Sequence, residues 1–473
     1  MGKIVPVSLT QKSNPARFKQ GGAARLLNCY VETIGQEGKV PWAIYACDGL
    51  QGYTSLASSD GGVRAMIEVD GGVYVVSGTR FYAVNTTTQV ATMIGTMNIS
   101  KTAPVFMERN RRVPTDIMIV CDGLAYYYRV GVSFGQVTDA DLLAPTSLTF
   151  VNGYFVIGTA NNKFQSGALD DASAWDPLAF GRADASPDAV LRVANYQGDL
   201  AVFGTQTIQF HRDAGTTPFP FAFIQSTNIG LLSADSVSIV EQSLAFVASD
   251  RSVRMLRGYG ADKISTHAVD RAIEDTADPS SIVATSWVKD GHTFYEISSD
   301  SWTWVYDTVT GFWHERQSYG MSRWRVSKVV SANGKLIAGD RDSGILYEMD
   351  ASFPDESGTE LVSQITLPPV HAFPYPLTFN ALYVDVEKGV GLYDGATQDV
   401  DPELMLEWSR DGGATFAGWR TLSLGKLGKA LTRVRTRRIG QAGQDGLTFR
   451  LSWSARVARA LYGVSADVER DAV

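Results

Sequence analysis

One short pattern recurs seven times between residues 72 and 349, at a nearly constant spacing. A Gly, Asp or Ser opens it, and four or five apolar residues follow. A Gly or small polar turn comes next, then a second run rich in aromatics. Two clear copies are Asp116-Ile-Met-Ile-Val-Cys-Asp-Gly-Leu-Ala-Tyr-Tyr-Tyr128 and Gly198-Asp-Leu-Ala-Val-Phe-Gly-Thr-Gln-Thr-Ile-Gln-Phe210. The apolar runs begin near Val73, Ile117, Tyr154, Leu200, Leu244, Thr293 and Leu336, giving gaps of 44, 37, 46, 44, 49 and 43 residues. Propeller blades of four short strands need about 40–50 residues each. The apolar runs read as inner strands covered on both faces. Two ordinary β-sandwiches would also place strands roughly every 8–12 residues, but nothing in them holds the longer period steady. The expectation is an all-β chain with a six- or seven-bladed β-propeller over residues 45–352.

A chain of 473 residues is too long for one ordinary core, so further domains are expected. Residues 1–44 are rich in breakers, including Gln20-Gly-Gly22. They read as an extended N-terminal arm packed on the propeller or on a neighbouring subunit, with Leu26-Leu-Asn-Cys-Tyr-Val-Glu32 as one strand. A polar, acidic linker follows the propeller. Residues 360–473 read as a small C-terminal β-sandwich with strands at 381–387, 404–409, 431–439, 447–453 and 461–469. Helical patterns are scarce. The two candidates are residues 266–276 and a short piece at 139–143.

Signals for chemistry are thin. The five histidines fall in no H-E-x-x-H pattern, and there is no nucleophile elbow, Walker loop or paired-cysteine metal spacing. No catalytic residue, cofactor or metal is expected. The cysteines are Cys29, Cys47 and Cys121, an odd count that suits assembly in a reducing cytosol. No apolar run approaches 18 residues, and no signal-peptide pattern opens the chain, so neither secretion by that route nor membrane insertion is expected. The net charge of −8 is not that of a typical nucleic-acid binder. The tryptophans at 302, 304, 313 and 324 read as blade-to-blade core rather than a sugar platform.

Two stretches of the C-terminal domain stand out. Ser409-Arg-Asp-Gly-Gly-Ala-Thr-Phe416 matches an Asp-box. There Ser409, Asp411, Gly412, Gly413, Thr415 and Phe416 build a hairpin turn: Asp411 accepts backbone N–H groups, the glycines take positive φ, and the ring packs beneath. Asp-boxes are familiar from sialidase propellers, so a carbohydrate-binding or glycosidase propeller is the alternative reading. No spacing in the sequence assembles the arginine cluster, tyrosine nucleophile and acid/base partner such an enzyme needs. The second stretch is basic. Between Asp411 and Asp445 lie seven bases and no acid: Arg420, Lys426, Lys429, Arg433, Arg435, Arg437 and Arg438. A strand there puts Arg433, Arg435 and Arg437 on one face, about 7 Å apart. Such a row suits a partner subunit, phosphates, or acids of its own domain.

These motifs also carry a resemblance. W-S-x-D-G-G-x-T at 408–415, L-G-x-x-G at 424–428 and R-x-R-x-R-R-I-G at 433–440 resemble the packaged-DNA stabilisation proteins, the tail hub or nozzle of short-tailed bacteriophages. Asn28-Cys-Tyr-Val-Glu32, followed by Gly49-Leu50 and Tyr53, is similar to that family's opening. The family often shows Trp where this chain has Phe416. The resemblance implies a non-enzymatic virion part, assembled in the host bacterial cytoplasm. It would form a hexameric ring below the portal and its adaptor protein, extend the DNA channel, help retain the genome, and hold a tail needle, fibre or spike. Its further partner would be the packaged double-stranded DNA, in transient contact.

Overall fold

The computed structural model describes residues 3–184 and 188–471. Seven four-stranded antiparallel blades follow one another, at residues 63–96, 106–136, 145–182, 190–227, 238–263, 283–315 and 326–350. The last block supplies only three strands. Its fourth is Gly49–Ser55, from before the first blade, paired antiparallel with Ile345–Asp350. The ring is therefore closed by joining the two ends of the propeller chain in one sheet.

Closure is also visible in the packing. Seven separate apolar clusters each straddle two successive blades. Tyr74, Phe81, Ile117 and Tyr126 fill the space between the first and second, and Leu50, Trp287, Trp324 and Met349 that between the sixth and seventh. The seventh meets the first through Ile337, Leu346, Val63 and Val75, and Ser327 Oγ donates to the Val63 carbonyl at 2.6 Å.

The apolar runs prove to be the second strand of each blade, not the innermost. Asp116–Cys121 and Asp199–Gly204 are buried at every residue. The innermost strands, such as Val63–Val69, alternate buried and half-buried positions. A second strand has a neighbouring blade on both faces, whereas an innermost strand turns one edge to the propeller axis. The recurrent Gly before the second strand has a matching cause. At Asp70-Gly71, Asn152-Gly153, Gln197-Gly198, Asp290-Gly291 and Asn333-Gly334 both residues have positive φ, as a two-residue hairpin turn of the favoured twist requires. Some of these turns also tie blades together: the side chains of Asn152 and Asn333 donate to the carbonyls of Gly198 and Gly71 in the next blade.

The N-terminal segment is not one strand from Leu26 to Glu32. Asn28 sits at φ +53° and breaks it into Arg25–Leu27 and Cys29–Thr33, which join different sheets. Cys29–Thr33 and Trp42–Ala46 form a hairpin that extends one sandwich sheet through Ala460–Arg470, Leu377–Val386 and Arg435–Ala442. Lys3–Val7 also pairs with Ala460–Arg470. Arg25–Leu27 lies between the sixth blade's outer strand, Phe312–Glu315, and the sandwich strand Ser363–Thr366. One nine-stranded sheet thus runs from the sixth blade into the second sandwich sheet. The sandwich core lies between the two sheets, with Leu26, Ile365, Leu406 and Phe449 facing Val31, Phe379, Leu382 and Val464.

The helix forms at His267–Glu274, inside the expected range, and packs Val269 and Ile273 between the fifth and sixth blades. The expected piece at 139–143 is a turn instead. The Asp139 carboxylate accepts from Asp141 N at 3.0 Å and Trp175 N at 2.9 Å, side-chain bonding that competes with a helix.

Candidate functional site

The Asp-box turn is a closed hydrogen-bond knot. Ser409 Oγ donates to Asp411 Oδ1 at 2.5 Å and accepts from Gly413 N at 2.7 Å. Thr415 donates to Asp411 from its backbone at 2.9 Å and from its hydroxyl at 2.6 Å. These donors, Ser409 first, hold the Asp411 carboxyl well below the usual carboxylate range. Phe416 lies under the Arg450 guanidinium at 3.8 Å, which is itself paired with Glu407. The turn also seats the N-terminal arm. A Cβ on Gly412, at φ +71°, would lie 2.5 Å from Gln20 Cα, and one on Gly413 would lie 2.6 Å from Ala23 Cβ. Gly412→Val is therefore expected to cost about 1–2 kcal/mol in backbone strain alone, and to lift the arm as well. A lowered melting temperature with faster tryptic cleavage near Arg17 and Lys19 is the expected readout; an unchanged melting curve contradicts it.

The basic stretch lies at one end of the sandwich. Its strand begins at Arg435, not at Leu431. Arg433, Arg435 and Arg437 nevertheless share the outer face, with Val434 and Thr436 buried between them. At Arg438 the backbone turns to φ +58°, and the pairing with Leu377–Val386 shifts register there. The bulge keeps Arg438 exposed and returns Ile439 to the core. Lys426 lies 3.9 Å from Asp401. Among the described residues, no ion pair engages Arg420, Lys429, Arg433, Arg435, Arg437 or Arg438. Large apolar side chains stand exposed among these bases: Trp419 at 64%, Leu427 at 60% and Leu431 at 96%. Sequence reasoning found the bases but missed these anchors. Leu427 and Leu431 look like core residues until the glycines around them, Gly425 and Gly428 at positive φ, are seen to shape an external loop.

The propeller axis is crossed by side chains. Lys328 Nζ, from the seventh blade, reaches Asp235 Oδ1 at 2.7 Å and the Ala284 carbonyl at 2.9 Å. Arg192, from the fourth, lies 3.8 Å over the Phe106 ring of the second. A cavity of about 560 Å³ beside it is lined by Glu108, Thr149, Asn195 and Ile239 among others. Its charged lining is one carboxyl and one guanidinium; Asp235, whose charge also acts on Arg192, is already engaged by Lys328.

Desolvation holds four carboxyls, Asp48, Glu108, Glu296 and Glu356, above their ordinary acidity range. Burial pushes Glu108 up to about 7, against Arg192 and Arg109. It pushes Glu296, in the second strand of the sixth blade, up to about 8, against Arg316, Arg341, Lys328 and Arg323. Between pH 4.5 and 8 the folded chain holds a proton on Glu296 that the unfolded chain releases, so the contribution of Glu296 to folding stability declines as pH rises through that window. Glu296→Gln is expected to remove this contribution, so that the stability difference between parent and variant changes across that window and is constant above it. Urea midpoints of parent and variant from pH 5 to 9 check it; parallel curves would contradict it.

The tryptophans of the sixth blade serve packing. Trp304 and Trp313 fill the space between the fifth and sixth blades. Trp302 Nε1 donates to the Ala272 carbonyl at 3.1 Å and to Thr276 Oγ1 at 3.0 Å. No helix among the described residues is long and apolar enough to cross a membrane.

Two family models match the chain. One, described as the β-propeller of bacteriophage P22 Gp10, matches residues 43–353; the other, described as its β-sandwich, matches residues 376–469. No curated protein sequence matches significantly. Among solved structures, the chain is similar to the computationally designed Ika8 protein, at 11% identity and a TM-score of 0.39, covering 63% of this chain and 100% of that one. It is also similar to virginiamycin B lyase from Staphylococcus aureus, at 12% identity and 0.45, covering 64% and 99%. A third is the Pan2 WD40 domain of Neurospora crassa, at 9% and 0.41, covering 64% and 95%. Likenesses this slight carry no functional argument.

Proposed function

The chain belongs to the bacteriophage P22 Gp10 family of phage tail structural proteins, built from a β-propeller and a β-sandwich, and from that membership we propose that it is a ring-forming tail component below the portal and its adaptor. In this reading several copies, six by the family resemblance, extend the DNA channel, help retain the packaged genome and hold a needle, fibre or spike. The role is mechanical. The observation that carries it is the match of both domains in the family's order.

The architecture supports the reading in two ways. The shared nine-stranded sheet joins propeller and sandwich through hydrogen bonds, not through a free linker. Arg459 reinforces the joint. It is buried in the sandwich and donates to the carbonyls of Pro354 and Leu361 and to Ser363 Oγ in the connecting segment. Force on one domain therefore passes to the other. Lys328 and Arg192 reach from blade to blade near the propeller axis, so in this reading the channel is the space enclosed by several copies rather than the axis of one propeller. Electron microscopy of the purified chain, alone and with the portal–adaptor complex, tests this. Closed rings capping the adaptor are expected; monomers alone in both samples would overturn it.

A further inference from the structure

The basic end of the sandwich has the composition of a docking surface without its partner. Seven bases lie between Asp411 and Asp445, and six of them take no ion pair among the described residues. Leu431, 96% exposed, Leu427 and Trp419 stand among them. Beside this end, an open groove of about 750 Å³ runs over the outer sheet face, lined by Leu431, Arg433, Arg435, Trp42, Tyr383 and Tyr462. Aromatic, aliphatic and Arg anchors with charge at the rim are the make-up of a protein contact. DNA phosphates would satisfy the arginines but would leave the leucines in water.

We propose that this surface binds the acidic surface of a second copy of the same chain, head-to-tail within the ring. Two observations select that occupant. The chain as a whole carries −8 although this strip holds seven bases and no acid, so the remainder taken together carries −15. Exposed carboxylates of that remainder that take no ion pair among the described residues include Glu274, Asp275 and Asp278, after the helix between the fifth and sixth blades. A two-fold contact centred on the strip is opposed by charge, because it would lay the bases against themselves. A head-to-tail contact of a basic patch with an acidic one generates a ring when the rotation closes. The proposal rests on the ring reading and adds to it which face is used and in what sense.

The test is self-assembly of the full chain with the adaptor, followed by sedimentation or mass photometry. Arg433→Glu/Arg435→Glu/Arg437→Glu is expected to raise the concentration at half-assembly by about tenfold or more, with its melting temperature kept. Leu431→Glu, at a position already in solvent, is expected to weaken assembly without touching the core. The arginine variant keeps its acidic face, so mixing it with the parent should cap open ends and yield short oligomers. Parent chains that never assemble would refute the ring reading itself. Parent rings with undiminished assembly of both variants would refute only this proposal. So would DNA binding that depends on these arginines while assembly stays unchanged.

Discussion

The Asn28→Val variant is expected to lose about 4 kcal/mol of folding stability, a large effect for one residue of the N-terminal segment. Asn28 is 1% exposed and lies where the arm passes from the propeller to the sandwich. Its Nδ2 donates to the Gln317 carbonyl at 2.9 Å and to the Val362 carbonyl at 2.8 Å, and its Oδ1 accepts from Gln317 N at 2.9 Å. Each such bond contributes about 1 kcal/mol net, and stranding the buried partners adds more. A β-branched residue in the left-handed conformation that Asn28 adopts costs about 1–2 kcal/mol further. Asn28→Gly separates the two causes, because glycine keeps the backbone and removes only the side-chain bonds. Urea unfolding of the three chains is the measurement. A loss below about 1 kcal/mol for valine would mean that the joint does not depend on this amide.

Trp324→Ala is expected to cost about 3–5 kcal/mol, the range for deleting a large buried aromatic. Trp324 is fully buried between the sixth and seventh blades, beside the strand that closes the ring. Its ring lies 3.7 Å from the Arg316 guanidinium, and its Nε1 donates to Glu356 Oε1 at 2.9 Å. Glu356 is itself 0% exposed, so truncation leaves a buried carboxyl without that donor as well as a cavity. Trp324→Phe fills most of the space but donates nothing, and should fall between parent and alanine. Thermal melts order the three; an alanine variant within about 1 kcal/mol of the parent would show that the seventh blade does not depend on this contact.

Much of the fold was legible because propeller packing repeats. Each second strand has the same surroundings, so selection for burial writes the same apolar run about every 44 residues. Five of the seven hairpin turns share one backbone, so they write a Gly at the same offset. The innermost strands were harder to see, because an axis-facing edge admits charge: Glu108, Arg192 and Lys328 interrupt the apolar pattern there. The Asp-box could be read in full, since its hydrogen bonds run between residues at most four apart. That it seats the arm could not, because Gln20 and Gly412 are distant in sequence and neither residue type announces the other.

Residue order alone carries what depends on local or periodic chemistry: an all-β chain, a propeller followed by a sandwich, one tight turn and one strip of bases without acids. The tertiary structure alone decided the closing of the seventh blade by Gly49–Ser55, the single sheet shared by propeller and sandwich, and the outward stance of Leu427 and Leu431. The reason is physical. A strand's own pattern states how many of its faces are buried, whereas its partner along the hydrogen-bonding edge is set by backbone groups that are alike in every residue.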